Sequence, residues 1–128
     1  MNVPEGLHYS SDHEWVGGGD TGRVRIGITD YAQDSLGDVV FVQLPTLGDT
    51  VASGATLGEV ESTKSVSDIY APVGGTVVAI NDALNESPQL LNEDPFGEGW
   101  ICEIEITDAA DIGRLLDAAA YTELIEGA

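Results

Sequence analysis

Basic residues are scarce in this chain of 128 residues, which has four of them against 23 acidic residues and a formal net charge of −19. A nucleic-acid site needs clustered cations to neutralise phosphates, so we expect no nucleic-acid partner. A surface of this charge attracts proteins with basic patches and repels other copies of the chain, which favours a monomer. Solubility alone is the other interpretation of the same charge.

Long apolar runs are also missing. No stretch approaches the ~20 apolar residues of a membrane-spanning helix, and residues 1–10 lack the basic and apolar parts of a secretory signal. We therefore expect no membrane contact and a cytoplasmic location.

Cysteine occurs once, at Cys102, so the chain cannot form an internal disulfide, as expected in a reducing cytoplasm. In residues 100–106, apolar and acidic residues alternate, and Cys102 falls on the apolar face of a predicted strand. We predict a buried, unreactive thiol.

Residues that perform catalysis are few. Two histidines, His8 and His13, and one cysteine do not make a zinc cluster. The sequence contains no phosphate-binding glycine loop and no nucleophile elbow. Carboxylate pairs arise by chance among 23 acids, so they give little support for a hydrolase. The sequence predicts a protein that is not an enzyme and binds no metal.

Short strands separated by glycine turns are what the chain does contain. Alternation predicts a half-buried strand at 23–28, and an apolar run at 39–44 predicts a strand buried on both faces. One amphipathic helix is predicted at about 108–126, with a break near Ala120 left open. One or two short helices are predicted elsewhere, including a turn that Gly37 ends. The prediction is a mainly β fold, a flattened antiparallel barrel or sandwich, in one domain (1–128) whose core covers about 14–106.

Lys64 is the only lysine in the chain, and it lies in a polar segment between two predicted strands. Small hydroxyl residues around it suit a type I turn, which places Lys64 at the tip of a hairpin.

Three roles are open to this lysine: an incidental charge, a catalytic amine, or an attachment point for a prosthetic group. Nearby acids such as Glu61 favour the charged amine, which argues against catalysis. An exposed tip with small neutral flanks favours attachment.

Residues 61–75, ESTKSVSDIYAPVGG, closely resemble the lipoylation segment of the glycine cleavage system H protein family. The resemblance continues, in order, over nearly the whole chain. It includes residues 2–4, 9–10, 13–15, 27–29, 32–33, 36–42, 44–45, 81–84, 87–88, 99–101 and 115–118. The wider lipoyl and biotinyl domain group has the barrel-sandwich hybrid fold, with the modified lysine on a hairpin tip.

This resemblance implies a single lipoyl-carrier domain with lipoate covalently attached to Lys64. Such a carrier takes the aminomethyl group of glycine from the pyridoxal-phosphate-dependent glycine decarboxylase (P protein) to the aminomethyltransferase (T protein). Dihydrolipoamide dehydrogenase (L protein) then reoxidises the arm, and a lipoate-attaching enzyme loads it at the start. Tethering raises the effective concentration of the arm at each active site.

The resemblance also implies a surface cleft into which the loaded arm folds, lined by Glu14, Ile28 and Asp68. A carboxylate suits a cationic amine, and Glu14 is the better candidate. Tyr31 belongs to the same cleft, at a position where many relatives have histidine, so the part played by an imidazole is open.

Three further residues match positions by which attachment enzymes distinguish the lysine. Glu61 lies three residues before Lys64, and Gly48 and Gly75 match the glycines that precede and follow the lysine in the wider domain group.

Other interpretations remain at this point. Thr63 and Ser65 differ from the methionines that flank the lysine of a biotin carrier, and Thr63 differs from the aspartate that precedes it in 2-oxoacid dehydrogenase lipoyl domains. A related lipoyl-bearing paralogue, serving lipoyl relay or sulfur oxidation, and an unmodified acidic adaptor are the alternatives.

Overall fold

Two antiparallel sheets form the body of the protein in a computed structural model that describes residues 1–18 and 21–127. The strands are β1 (His8–Tyr9), β2 (Glu14–Gly18), β3 (Arg23–Ile28), β4 (Val39–Gln43), β5 (Thr50–Val51), β6 (Thr56–Ser62), β7 (Val66–Tyr70), β8 (Gly75–Ile80) and β9 (Cys102–Ile106). The order is β1-β2-β3-β9-β8-β5 in the larger sheet and β4-β6-β7 in the smaller one.

Helices are short. They are α1 (Asp30–Leu36), α2 (Ala83–Glu86), α3 (Leu90–Glu93), α4 (Ala110–Gly113) and α5 (Ala118–Glu126). A mainly β, antiparallel fold with short helices and a C-terminal helix is thus confirmed. In the described ranges, 1–18 and 21–127, no helix is long and apolar enough to cross a membrane.

The core lies between the sheets and is built from alternate strand residues. In β3, Val24 and Ile26 are buried while the arginines between them are exposed, as the alternation predicts. Val42 and Val60 of the smaller sheet pack in the same core cluster. Burying each such side chain stabilises the fold by roughly 1.5–3 kcal/mol.

The prediction that β4 is buried on both faces is wrong. Val40 and Phe41 are 56% and 48% exposed. The register with β6 shifts between Val39 and Phe41, so Val40 is the extra residue of a bulge, and no element of the described chain covers this outer face.

The C-terminal helix predicted at about 108–126 is present as two helices, α4 and α5, and the break lies at residues 114–117, before the expected position near Ala120. The backbone of Leu116 pairs with Tyr9 through two hydrogen bonds of 2.8 Å, which a continuing helix would not allow. Asp117 then caps α5 by accepting a hydrogen bond from the Ala120 N–H at 2.8 Å.

The short helix predicted before Gly37 is confirmed as α1. The Thr29 hydroxyl caps it by accepting from the Ala32 N–H at 3.2 Å. Gly37 ends it with a φ of 79°, a left-handed conformation that favours glycine.

Cys102 is fully buried in β9, as predicted. Burial, with a smaller effect from the neighbouring Glu103 carboxylate, raises the pKa of its thiol to about 12.

Candidate functional site

Lys64 lies at the tip of the β6–β7 hairpin, and the turn is held mainly by Ser62. The Ser62 hydroxyl oxygen accepts hydrogen bonds from the backbone N–H groups of Lys64 and Ser65, both at 3.1 Å. The Ser62 N–H donates to the Ser65 carbonyl at 2.8 Å, which closes the turn. The predicted stiffening of the tip by a local hydroxyl is therefore present at Ser62.

A second contact ties the tip to the segment between α1 and β4. The Thr63 N–H donates to the Asp38 carbonyl at 3.0 Å. The aliphatic stem of Lys64 lies across Gly37, where an added Cβ would be 3.2 Å from Cε of the lysine. Asn92 holds the same segment by donating to the Gly37 carbonyl at 2.8 Å and accepting from the Val39 N–H at 2.9 Å.

The ammonium of Lys64 is exposed, and within residues 1–18 and 21–127 it forms no ion pair. The three other basic side chains do. Arg23 and Arg25 bind the same carboxylate of Glu103 at 2.7 and 2.8 Å, and Arg114 binds Asp111 at 2.9 Å. The lysine amine is thus accessible to another molecule.

A cleft of about 260 Å³ lies beside the tip, and Ser65 forms part of its wall. The structure brings all four predicted cleft residues, Glu14, Ile28, Tyr31 and Asp68, to this cleft. Strand pairing explains the first two, because Glu14 of β2 is paired with Ile28 of β3.

Glu14 is the buried carboxylate of the cleft, with 2% of its surface exposed. It accepts hydrogen bonds from the Ser10 hydroxyl at 2.6 Å and from the Tyr70 N–H at 3.1 Å. Burial raises the pKa of Glu14 to about 7. The two hydrogen bonds oppose this effect, and the charge of Asp12 adds to it. A cation that entered the cleft would stabilise the ionised form.

An imidazole reaches the cleft from His13, a role that sequence reasoning missed. The His13 ring lies 4.6 Å from the Tyr31 ring, centroid to centroid. Its Nδ1 is 2.8 Å from the hydroxyl oxygen of Tyr121, which is 2.7 Å from the Thr29 hydroxyl. Burial lowers the pKa of His13, although the charge of Asp12 opposes this. Position 31 is therefore a tyrosine and not a histidine, but the imidazole of His13 packs against the Tyr31 ring in the same cleft.

Among the predicted recognition residues, the two glycines have backbone roles. Gly75 is buried, and a Cβ there would overlap the carbonyl oxygen of Glu105 in β9. Gly48 is exposed in a turn with a φ of 87°, and its N–H donates to the Val77 carbonyl at 2.8 Å. A modification enzyme cannot touch Gly75 in this fold, so any recognition through Gly75 would be indirect. Glu61 is half-buried on β6, three residues from Lys64.

Comparisons with known proteins agree with this arrangement. The family model described as "Glycine cleavage H-protein" matches residues 7–128. The glycine cleavage system H protein of Mycobacterium avium is 56% identical over 124 residues, covering 94% of each chain. That of Micrococcus luteus is 56% identical over 121 residues, again with 94% of each chain covered. A crystal structure of the glycine cleavage system H protein from Mycobacterium marinum has a TM-score of 0.88 at 42% identity, covering 98% of this chain and 100% of its own.

Proposed function

The chain belongs to the glycine cleavage H-protein family, and from this premise we propose that Lys64 carries a lipoyl group in amide linkage to its Nζ. Members of this family carry lipoate covalently on a lysine. Lys64 is the only lysine in this sequence, and this observation carries the proposal.

The protein is a lipoyl carrier of the glycine cleavage system and not an enzyme. Its family works with the P, T and L proteins and with a lipoate ligase. When bound, the lipoyl group supplies a dithiolane that takes up the aminomethyl group of glycine and is afterwards reoxidised. The chain itself presents, shields and releases that group.

The residues around Lys64 fit an attached arm. The amine is exposed on a turn held by Ser62, and small side chains flank it. Gly37 leaves space for the lysine stem, because any side chain there would touch it.

Glu14, Ile28, Tyr31 and Asp68 form the docking cleft for the arm in this proposal. Ser65 continues the cleft wall to the tip, so an arm that starts at Lys64 reaches the cleft without leaving the surface. The Glu14 carboxylate would face a cationic group, and the Tyr31 ring would shield it from water.

The remaining assignments are proposals of the same kind. Glu61 serves recognition by the attachment enzyme. Residues 1–128 form one carrier domain with its core at about 14–106. The bacterial relatives support a place in the cytoplasm.

Intact-mass analysis of the chain, produced in a host that makes lipoate, tests the attachment. We expect one lipoyl increment on the wild type and none on Lys64→Arg. The purified lipoylated chain is then given to a glycine decarboxylase with glycine and labelled bicarbonate. Isotope exchange supports the glycine cleavage role. Lipoylation at Lys64 without exchange would assign the chain to a paralogue in another pathway. A wild type that gains no lipoyl group would favour the remaining hypothesis, an unmodified acidic adaptor.

A further inference from the structure

The smaller sheet exposes an apolar surface next to Lys64. Residues that are paired across strands point to the same face, so Phe41, Glu61 and Val66 form one row across β4, β6 and β7. The adjacent row contains the buried Val42 and Val60, and the first row therefore faces outward.

Three apolar side chains on this surface, Val40, Phe41 and Val66, are called here the outer patch. They are 56%, 48% and 58% exposed. Val66 is the first residue of β7, two positions after Lys64. Exposed apolar side chains with polar surroundings, here Val40 and Phe41 on β4 and Val66 on the far side of Glu61, are typical of a protein interface.

Acidic side chains surround the outer patch. Glu61 lies between Phe41 and Val66 in the row, and the next outward row contains Glu59 and Asp68. In the described part of the chain none of these acids forms an ion pair. The partner that fits is therefore an apolar depression with lysine or arginine around it.

A second copy of this chain does not fit that description. Its net charge is also −19, so two such surfaces would repel each other. An anionic lipid surface is disfavoured for the same reason. A basic protein remains.

We propose that the outer patch, together with Glu59, Glu61 and Asp68, is the surface by which the lipoate-attaching enzyme binds this chain. The proposal rests on the proposed attachment at Lys64, and it adds an apolar determinant to the acidic one at Glu61.

The reaction itself explains why this enzyme is the partner. Attachment forms an amide bond between Nζ of Lys64 and the carboxyl carbon of an activated lipoyl donor, an acyl adenylate. The bond from that carbon to the nucleotide phosphate oxygen breaks and the nucleotide leaves. The lysine nitrogen loses two protons, one when the ammonium becomes the nucleophilic amine and one when the amide forms. This chemistry happens at Nζ, so the enzyme must contact the surface around the tip. Enzymes that act on the loaded arm work at its far end and have less need of that surface.

Initial rates of lipoylation test the proposal. The apo chain is mixed with a purified bacterial lipoate–protein ligase, lipoate and ATP, and the modified fraction is followed by intact mass. The test variant is Phe41→Thr with Val66→Thr, since threonine is favoured in strands and carries a hydroxyl. We expect KM for the chain to rise about tenfold or more, with kcat within about twofold, because the aromatic anchor Phe41 is lost and the added hydroxyls would be desolvated in the complex.

Matched controls separate this surface from a general loss of apolar exposure. Leu47→Thr changes a side chain of similar exposure, 55%, in the connection after β4. This variant should be modified at the wild-type rate. Val66→Ile keeps the patch apolar and should raise KM less than Val66→Thr does. Glu59→Gln with Glu61→Gln should raise KM and weaken its dependence on salt, whereas Glu123→Gln on α5 should do neither.

A KM within about twofold of the wild type for the double threonine variant would overturn the proposal. So would an equal loss in Leu47→Thr. Thermal unfolding confirms that each variant is folded, and Val66→Thr alone, expected to raise KM about threefold, replaces the double variant if that one does not fold. Failure of the proposed function looks different, because then the wild type itself gains no lipoyl group at Lys64.

Discussion

The hairpin tip at Lys64 and the cleft at Glu14 are neighbours, but different kinds of contact hold them. The tip is organised mainly by Ser62, which binds residues two and three positions away, and one further hydrogen bond joins Thr63 to Asp38. The cleft depends on distant partners: Glu14 is bound by Tyr70, and His13 by Tyr121. The tip is exposed, whereas Glu14 is buried.

This difference suits two roles: the tip exposes Lys64 to other proteins, and the cleft shields a bound group from water. A side chain that several enzymes must reach is best held by its own turn, since changes elsewhere then leave it in place. A cleft that excludes water needs walls from several elements and takes its stability from the core. Substitutions at the tip should therefore change modification with little effect on stability, and substitutions behind the cleft should do the reverse.

Tyr121→Ala should have the largest effect on stability. Tyr121 is fully buried, stacks on Tyr9 at 4.7 Å between ring centroids, and bonds to His13 and Thr29. We expect its truncation to cost about 3–5 kcal/mol of unfolding free energy, measured by urea titration. Lys64 should still be lipoylated at the wild-type rate while the variant is folded.

Leu124→Ala, on the same helix but 40% exposed, is the control and should cost less than about 1 kcal/mol. Slower lipoylation of folded Tyr121→Ala would show that the conformation of the tip depends on the cleft. That result would contradict the separation of the two regions.

Glu14→Gln should remove a pH dependence. Burial raises the pKa of Glu14 from 4.5 to about 7, so between these values the folded state binds more protons than the unfolded state. The unfolding free energy of the wild type should therefore fall as pH rises. Its difference from Glu14→Gln should change by about 3 kcal/mol between about pH 4 and about pH 8.

Taking the difference between the two proteins cancels the opposite contribution of His13, whose pKa is lowered. Glu123→Gln, at an exposed position, should give no such slope. A flat difference for Glu14→Gln would mean that the carboxyl ionises as in water, and that the cleft does not exclude water.

Ser62→Ala should have a small effect, confined to the tip. Two backbone N–H groups lose their acceptor, but water replaces it at this exposed site, so we expect a loss of about 0.5–1 kcal/mol. Hydrogen exchange at the amides of Lys64 and Ser65 should become faster. Ser65→Ala is the matched control, because in the described chain the Ser65 hydroxyl forms no hydrogen bond; equal acceleration in both variants would contradict the role of Ser62.

Lys64→Arg should have the smallest effect on stability and a complete effect on modification. The side chain is exposed and forms no ion pair in the described chain, so unfolding free energy should stay within about 0.5 kcal/mol of the wild type. Intact mass should show no lipoyl group. A destabilisation above about 1 kcal/mol would indicate that the lysine stem on Gly37 supports the fold.

The same contrast explains what could be predicted from the sequence. The hairpin at Lys64 is made by adjacent residues, and the alternation of β3 is local, so the position of Lys64 at a tip and the burial pattern of β3 were predicted correctly. The pairing of His13 with Tyr121 joins residues 108 positions apart, and no local pattern indicates it. Resemblance to a family brought Glu14 and Tyr31 together, but it could not show that an imidazole packs on Tyr31.

Two features were not predicted correctly: the exposed outer face of β4 and the position of the break between α4 and α5. An apolar run such as β4 shows that side chains are apolar, but it cannot show whether another layer covers them. The spacing of Ile112 and Leu115 is helical, yet the backbone of Leu116 pairs with β1, and that tertiary contact divides the helix.

The burial of Cys102 has a consequence for redox chemistry. A thiolate attacks disulfides, so an exposed cysteine on a carrier that alternates between dithiol and disulfide could trap its own arm as a mixed disulfide. Cys102 is the only cysteine, it is fully buried, and its pKa is raised to about 12, so almost no thiolate is present at neutral pH. The fold keeps its own sulfur chemically separate from the sulfur it carries.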